Sequence, residues 1–225
     1  MRHLFADRNE AGHALALELA KAGVLTPVVL ALPRGGVPVA AEIARQFSAP
    51  LDLLLVRKIG VPWQPELAVA ALVDGPDQEL VIDEDTRAAT GVSRSYIDAQ
   101  AKEQIHEIER RRRLYLGDRS PINVEGRNAI VVDDGIATGT SMRAALKALR
   151  RRKPASLILA VPVAPPEAIA MLSHEVDRIV CLAQPDPFYA VGAHYEDFHQ
   201  IEDDEVMAIL ATFSKSSGAS GKPER

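Results

Sequence analysis

Apolar and polar positions along the chain follow two different periods. Short continuous apolar runs, rich in β-branched residues and bounded by turn-forming residues, predict buried strands. Between them, apolar residues recur every three or four positions, which is the period of an amphipathic helix. Strands are expected at 28–32, 51–56, 129–132, 156–161 and 178–182, with weaker ones at 67–73 and 79–82. Helices are expected at 9–22, 37–47, 93–114, 141–151, 165–174 and 203–212.

The alternation of strands with helices predicts an α/β fold, with a mostly parallel central sheet flanked by helices. Ligands of such sheets bind at the carboxyl ends of the strands. We expect the stretch 60–125 to form a small lid or hood. We expect a single domain over residues 1–213. The remaining residues, 214–225, are small and polar, cannot contribute to a core, and are predicted to be a disordered tail.

Composition narrows the class of protein further. The net charge is −5, whereas general nucleic-acid binders usually carry a basic excess, so we expect no nucleic-acid partner. The single cysteine, Cys181, excludes an intramolecular disulfide and a cysteine metal cluster. The sequence has neither a secretory leader nor an apolar run of about 20 residues. We therefore expect no membrane association and a cytoplasmic location.

The segment 129–141 is the most informative part of the chain. Four apolar residues run into Asp133 and Asp134, and a turn with two glycines then leads into a predicted helix. A helix N-terminus offers unpaired N–H groups and a partial positive charge, and glycines let the backbone approach an anion closely. The turn therefore has the features of a phosphate-binding site. Carboxylates repel phosphate but accept hydrogen bonds strongly, so the acid pair suits the hydroxyls of a ribose.

The run from Val131 to Thr140 resembles the signature of the type I phosphoribosyltransferases, which bind 5-phosphoribosyl-1-pyrophosphate (PRPP). The resemblance implies that Asp133 and Asp134 hold the ribose 2′ and 3′ hydroxyls. It implies Mg²⁺ as cofactor, near Asp133 through water or the hydroxyls of the ligand. It assigns the 5′-phosphate to the loop formed by Gly135, Ile136, Ala137, Thr138, Gly139, Thr140 and Ser141. Several hypoxanthine-type members carry an acidic residue where this chain has Ala137, which argues against hypoxanthine-type acid–base chemistry here.

A second glycine-containing turn, Pro33-Arg34-Gly35-Gly36, follows the first predicted strand. A glycine pair with an adjacent cation at the start of a helix is another anion site. By the resemblance, Arg34, Gly35 and Gly36 would hold pyrophosphate, and we expect a strained peptide here, in the form of a non-proline cis bond before Arg34. The alternative is a plain turn with a solvated arginine.

Two further sets of cations differ in their expected roles. Arg57 and Lys58 end the second predicted strand, which indicates a basic loop at the carboxyl end of that strand. By the resemblance, a basic residue at this place would reach pyrophosphate; the alternative is a surface charge pair. The arginine run 110–113 lies near the end of the long predicted helix. Because cations there complement the helix dipole, we interpret this run as a solvated helix end.

The segment 185–198 is aromatic and punctuated by glycine and proline. Purine phosphoribosyltransferases carry a similar segment, in which an aromatic ring stacks on the base. By that similarity Phe188 or Tyr189 would stack on the acceptor. The other interpretation is a loop whose aromatic side chains pack on the core, and the sequence leaves both open.

Together these features predict a phosphoribosyltransferase that transfers the 5-phosphoribosyl group of PRPP to a nitrogen of a nucleobase or similar acceptor. Its catalytic residues would be Arg34, Lys58, Asp133 and Asp134. The alternative is a PRPP- or nucleotide-sensing regulatory protein on the same fold. The presence of Arg34 and the Arg57-Lys58 pair favours the enzyme, because a sensor has less need of a pyrophosphate clamp. We expect a homo-oligomer, in the form of a dimer.

Overall fold

A computed structural model describes residues 3–75 and 78–214. The described elements are, in chain order, α1 (Arg8–Lys21), β1 (Val28–Ala31), α2 (Gly36–Gln46), β2 (Leu51–Leu53), β3 (Val56–Val61), β4 (Gln64–Val73), β5 (Glu79–Ile82), α3 (Glu84–Thr90), α4 (Arg94–Leu116), β6 (Asn128–Val132), α5 (Thr140–Arg151), β7 (Ser156–Val163), α6 (Pro166–Leu172), β8 (Arg178–Ala183) and α7 (Asp203–Ser214), with a short 3-10 helix at Val191–His194. The predicted tail lies outside the described residues, apart from Ser214 at the end of α7.

The central sheet has five strands in the order β2-β1-β6-β7-β8, and every neighbouring pair is parallel. Helices cover both of its faces. Alternate side chains of each strand point to opposite faces, so Val29 and Ile130 pack with α1, α2, α4 and α7, whereas Leu30 and Val131 pack with α5 and α6. This double burial explains why the strands are continuous apolar runs, and it confirms the predicted fold class.

A separate sheet of three antiparallel strands, in the order β3-β4-β5, lies mostly in the stretch where a lid or hood was expected. It packs against α5 and α4. The prediction of one strand at 51–56 was wrong, because this apolar run divides between two sheets. The N–H of Leu54 still donates to the carbonyl of Ala31, and at Val56 the chain pairs with Val73 instead.

One helix of this region was absent from the prediction. Helix α3 is seven residues long and has no buried residue, so it shows no apolar period in the sequence. Its signal is a polar one: the Asp83 side chain caps the helix by accepting a hydrogen bond from the N–H of Thr86 at 3.0 Å. Among the helices that the structure describes, none is long and apolar enough to cross a membrane.

Candidate active site

Two glycine-containing loops meet at the carboxyl edge of the central sheet. Strands β1 and β6 are neighbours, with Ala31 opposite Val132, so the loops that follow them lie side by side. A Cβ atom added to Gly35 would lie 2.5 Å from the carboxyl carbon of Asp134, and one added to Gly36 would lie 2.7 Å from the carbonyl oxygen of Val132. Glycine is therefore required at both positions, because the backbone here lies too close to Asp134 and Val132 to leave room for a side chain. The Pro33–Arg34 peptide bond is cis, as expected from the sequence.

The acid pair at the end of β6 is held by a buried arginine from the first helix. Arg8, which is 6% exposed, donates from Nε to Oδ2 of Asp134 at 2.8 Å. Its guanidinium carbon lies 3.9 Å from the ring centre of Phe198, and its NH1 donates to the carbonyl of His199 at 2.9 Å. The hydroxyl of Tyr195 donates to the backbone carbonyl of Asp134 at 2.6 Å. The position of Asp134 is therefore set by Arg8 of α1 and by Tyr195, as well as by its own loop.

Sequence reasoning missed Arg8 because 126 residues separate it from Asp134. A weak signal does exist. Arg8 is the first residue of α1, where the helix dipole favours acidic side chains over cations. A cation at that position indicates a partner elsewhere in the fold.

Burial dominates the electrostatics of the two carboxyl groups. It raises the pKa of Asp133 well above the ordinary value, and the neighbouring charge of Asp134 raises that pKa further. Burial also raises the pKa of Asp134, although the hydrogen bond and charge of Arg8 oppose this change. The N–H of Asp134 donates to Oδ1 of Asp133 at 2.9 Å. A ligand that brings hydrogen-bond donors or a cation to this pair would stabilise its ionised form.

The loop from Gly135 to Gly139 leads into the N-terminus of α5. Gly139 has a left-handed conformation, with φ of +74°, and it is the residue that precedes the first turn of the helix. Thr138 and Thr140 are exposed, and their hydroxyls lie 3.5 Å apart. Ile136 is buried and its N–H already donates to the carbonyl of Val163 at 2.9 Å. The exposed hydroxyls and the first N–H groups of α5 are therefore the hydrogen-bond donors that this loop presents to its surroundings.

A cleft with a volume of about 180 Å³ opens between these loops and the start of the antiparallel sheet. Its lining brings Arg57 together with Asp133 and Ser141. The side chain of Arg57 is oriented by Gln104, whose Oε1 accepts from Nε at 3.0 Å. The full lining consists of Leu32, Pro33, Leu54, Leu55, Val56, Arg57, Ile108, Arg111, Asp133 and Ser141.

The model of the phosphoribosyl transferase domain matches residues 8–197, which include both loops and the arginine that holds the acid pair. The chain belongs to the phosphoribosyl transferase family. It is 45% identical over 207 residues to a Mycobacterium tuberculosis protein, provisionally named a phosphoribosyl transferase and known as MT0597 in strain CDC 1551 and as Rv0571c in strain H37Rv. The match covers 92% of this chain and 46% of the relative, so the chain spans about half the length of the curated relatives it matches.

The fold of the chain is similar to that of TT1426 from Thermus thermophilus, a protein whose crystal structure is known. The two share 42% sequence identity and superimpose with a TM-score of 0.81, over 95% of this chain and 99% of the other. The two proteins therefore share one overall fold.

Lys58 does not line the cleft that contains Asp133. Arg57 and Lys58 are neighbours within β3, where successive side chains point to opposite faces of the sheet. Lys58 lines a different pocket, with Thr140, Arg143 and Lys147. The prediction that both cations stand at the end of a parallel strand was wrong, because the chain had already entered the antiparallel sheet. The structure brings Arg57 to the cleft and Lys58 to a different pocket, which also contains Thr140 at the start of α5.

Two other predicted site residues, Arg34 and Phe188, contact other parts of the chain. Arg34, whose side chain is 29% exposed, pairs through NH1 with Glu202 at 3.3 Å and with Asp203 at 3.5 Å. Phe188 packs against the ring of His194, with centroids 5.5 Å apart, and against the buried cluster that contains Tyr195. This position of Phe188 favours the second of the two interpretations that the sequence left open, that of a loop packing its aromatic side chains on the core.

Proposed function

We propose that this phosphoribosyl transferase binds PRPP with Mg²⁺ and transfers the 5-phosphoribosyl group to a nitrogen of a nucleobase or similar acceptor. One observation carries the proposal: the loop after β1, the loop after β6 and Arg57 converge on a single cleft beside the acid pair. Such a cleft combines donors for phosphates with acceptors for hydroxyls. PRPP carries both kinds of group on one sugar.

In the proposed complex, Asp133 and Asp134 accept hydrogen bonds from the ribose hydroxyls. The first N–H groups of α5 and the exposed hydroxyls of the preceding loop bind the 5′-phosphate. The pyrophosphate group lies over Gly35 and Gly36, where the backbone can approach it closely, and within reach of Arg57. The acceptor is bound on the remaining open side of the ribose.

The proposed step needs no nucleophile from the protein. The lone pair of the acceptor nitrogen forms a bond to C1 of the ribose, and the C1–O bond breaks with its electron pair leaving on pyrophosphate. A proton on the attacking nitrogen is released as the product forms. The protein aligns the two reactants and places cations where negative charge accumulates, and these two effects account for most of the rate enhancement that we expect.

The residues present are compatible with Mg²⁺. Mg²⁺ in phosphate sites is commonly held by one or two carboxylates, with substrate phosphates and water completing its coordination. Asp133 lines the cleft and its burial would be compensated by a nearby cation. Over residues 3–75 and 78–214, no group of three or more histidine, cysteine or acidic residues could hold a metal by itself. This suits an ion that arrives with its ligand and neutralises the leaving pyrophosphate.

A pyrophosphate-release assay tests the proposal. The protein is incubated with PRPP, MgCl₂ and each member of a panel of purines and pyrimidines, and Asp133→Asn serves as the inactive control. We expect release with at least one acceptor and none with the variant. Calorimetric binding of PRPP without release in the presence of any acceptor would favour the sensing protein instead. Failure to bind PRPP at all would contradict both functions.

A further inference from the structure

One face of α4 follows the wall of the cleft. Gln104, Ile108 and Arg111 are spaced four and three residues apart, which places them on the same side of the helix. Gln104 orients Arg57, Ile108 is fully buried in the cleft wall, and Arg111 lines the same cleft. A helix from the stretch 60–125, in which a lid or hood was expected, therefore lines the cleft of the candidate site.

The arginine run near the end of α4 divides among different surroundings, because successive residues of a helix point about 100° apart. The side chain of Arg110 is 60% exposed, that of Arg111 is 33% exposed and that of Arg112 is 13% exposed. Of these residues, Arg111 lines the cleft. The interpretation of the whole run as a solvated helix end is therefore wrong for Arg112, which pairs with buried carboxylates.

Arg112 fixes the helix to both sheets. Its NH1 donates to Oδ2 of Asp74 at 2.6 Å, and its NH2 lies 3.4 Å from Oδ1 of Asp52. Asp52 belongs to β2 of the central sheet, whereas Asp74 directly follows β4 of the antiparallel sheet. Both carboxylates are buried, so this bridge has little room to rearrange. The position of Arg111 beside the cleft is therefore set by the fold.

We propose that Arg111 is a pyrophosphate-binding residue, acting together with Arg57 in the same cleft; this rests on the proposed function. Nε of Arg111 donates to Oε1 of Glu107 at 2.7 Å, which orients the guanidinium. A guanidinium has five N–H donors in a planar fork, so a bond through Nε leaves its terminal nitrogens able to bind phosphate oxygens in pairs. Pyrophosphate brings several negative charges close to Asp133, and a further cation stabilises it there.

The chain offers a matched control in the neighbouring residue. Arg110 also donates from Nε to Glu107, at 2.8 Å, but its side chain faces away from the cleft. Isothermal titration with inorganic pyrophosphate and MgCl₂ compares the wild type with Arg111→Gln, Arg111→Lys and Arg110→Gln. We expect affinity to fall at least about tenfold in Arg111→Gln, through loss of charge-assisted hydrogen bonds. Arg111→Lys keeps the charge without the fork and should lose about threefold or more.

Arg110→Gln is expected to stay within about twofold of the wild type. Wild-type affinity in Arg111→Gln would overturn the inference while leaving the proposed function intact. If Arg111→Gln does not fold, as judged by circular dichroism, unchanged affinity in Arg111→Lys has the same force. An equal loss in Arg110→Gln would show that the effect passes through Glu107, and it would also overturn the inference. A wild type that does not bind pyrophosphate contradicts the proposed function itself.

Discussion

The substitution Gly35→Ala tests the close approach of the two loops. Gly35 has φ of −58° and ψ of −35°, a conformation that alanine adopts freely, so the backbone itself opposes nothing. The added methyl would lie 2.5 Å from the carboxyl carbon of Asp134, below the 3.0 Å at which real contacts begin. Asp134 must move by about 1 Å to restore an ordinary separation. Such a movement breaks its 2.8 Å hydrogen bond to Arg8.

The expected cost follows from this broken pair. Separating a buried ion pair while leaving its partner in place costs about 3–5 kcal/mol. Replacing glycine by alanine at a permitted conformation returns up to about 1 kcal/mol through the unfolded chain. We therefore expect Gly35→Ala to lower the free energy of unfolding by about 2–4 kcal/mol. Urea unfolding followed by circular dichroism measures this quantity, and PRPP affinity should fall in the same variant.

A double-mutant cycle with Arg8→Met identifies the cause. If Gly35→Ala acts by separating Arg8 from Asp134, the two substitutions should be non-additive by about 1–3 kcal/mol. Gly91→Ala is the control. Gly91 has φ of +70° and an added Cβ would meet no described atom within 4 Å, so its cost of about 1 kcal/mol is purely conformational. That cost should add to the effect of Arg8→Met. A stability of Gly35→Ala within about 0.5 kcal/mol of the wild type would refute the described approach of the loops.

Three further expectations concern the candidate site. Asp133→Asn should abolish PRPP binding in calorimetry. Because burial raises the pKa of Asp133, the stability that its protonated form contributes is present below the ordinary pKa of 3.8 and is lost as the pH rises through the folded-state pKa. The urea midpoint, measured at a series of pH values, should therefore fall less steeply with pH in Asp133→Asn than in the wild type. Equal slopes would count against a buried, protonatable group. Arg57→Ala should weaken Mg²⁺-pyrophosphate binding about tenfold, whereas Lys58→Ala, on the other face of β3, should leave it within about twofold; equal losses in calorimetry would contradict the assignment of these faces. Excess chelator should remove PRPP binding, and unchanged affinity without Mg²⁺ would argue against the metal.

The sequence by itself determined the features that rest on local patterns. The apolar runs of β1, β6 and β7 predict strands because these strands are buried on both faces. The acid pair and the glycine turn after β6 predict an anion site because a strand, a turn and a helix follow one another within about a dozen residues. In a parallel sheet the carboxyl ends of β1 and β6 lie at the same edge whatever the strand order, so the loops after them were expected at that edge.

The tertiary structure decided which side chains complete the site. Arg8 meets Asp134 across 126 residues, and Arg112 bridges Asp52 and Asp74 across 60 and 38 residues. No local pattern specifies such pairs, because a charged residue at a helix end satisfies the same periodicity whether it faces solvent or a buried carboxylate. The division of Leu51–Val56 between two sheets has the same origin: an apolar run predicts burial, but hydrogen-bonded partners determine which sheet it joins. That choice alone directs Arg57 into the cleft and Lys58 away from it.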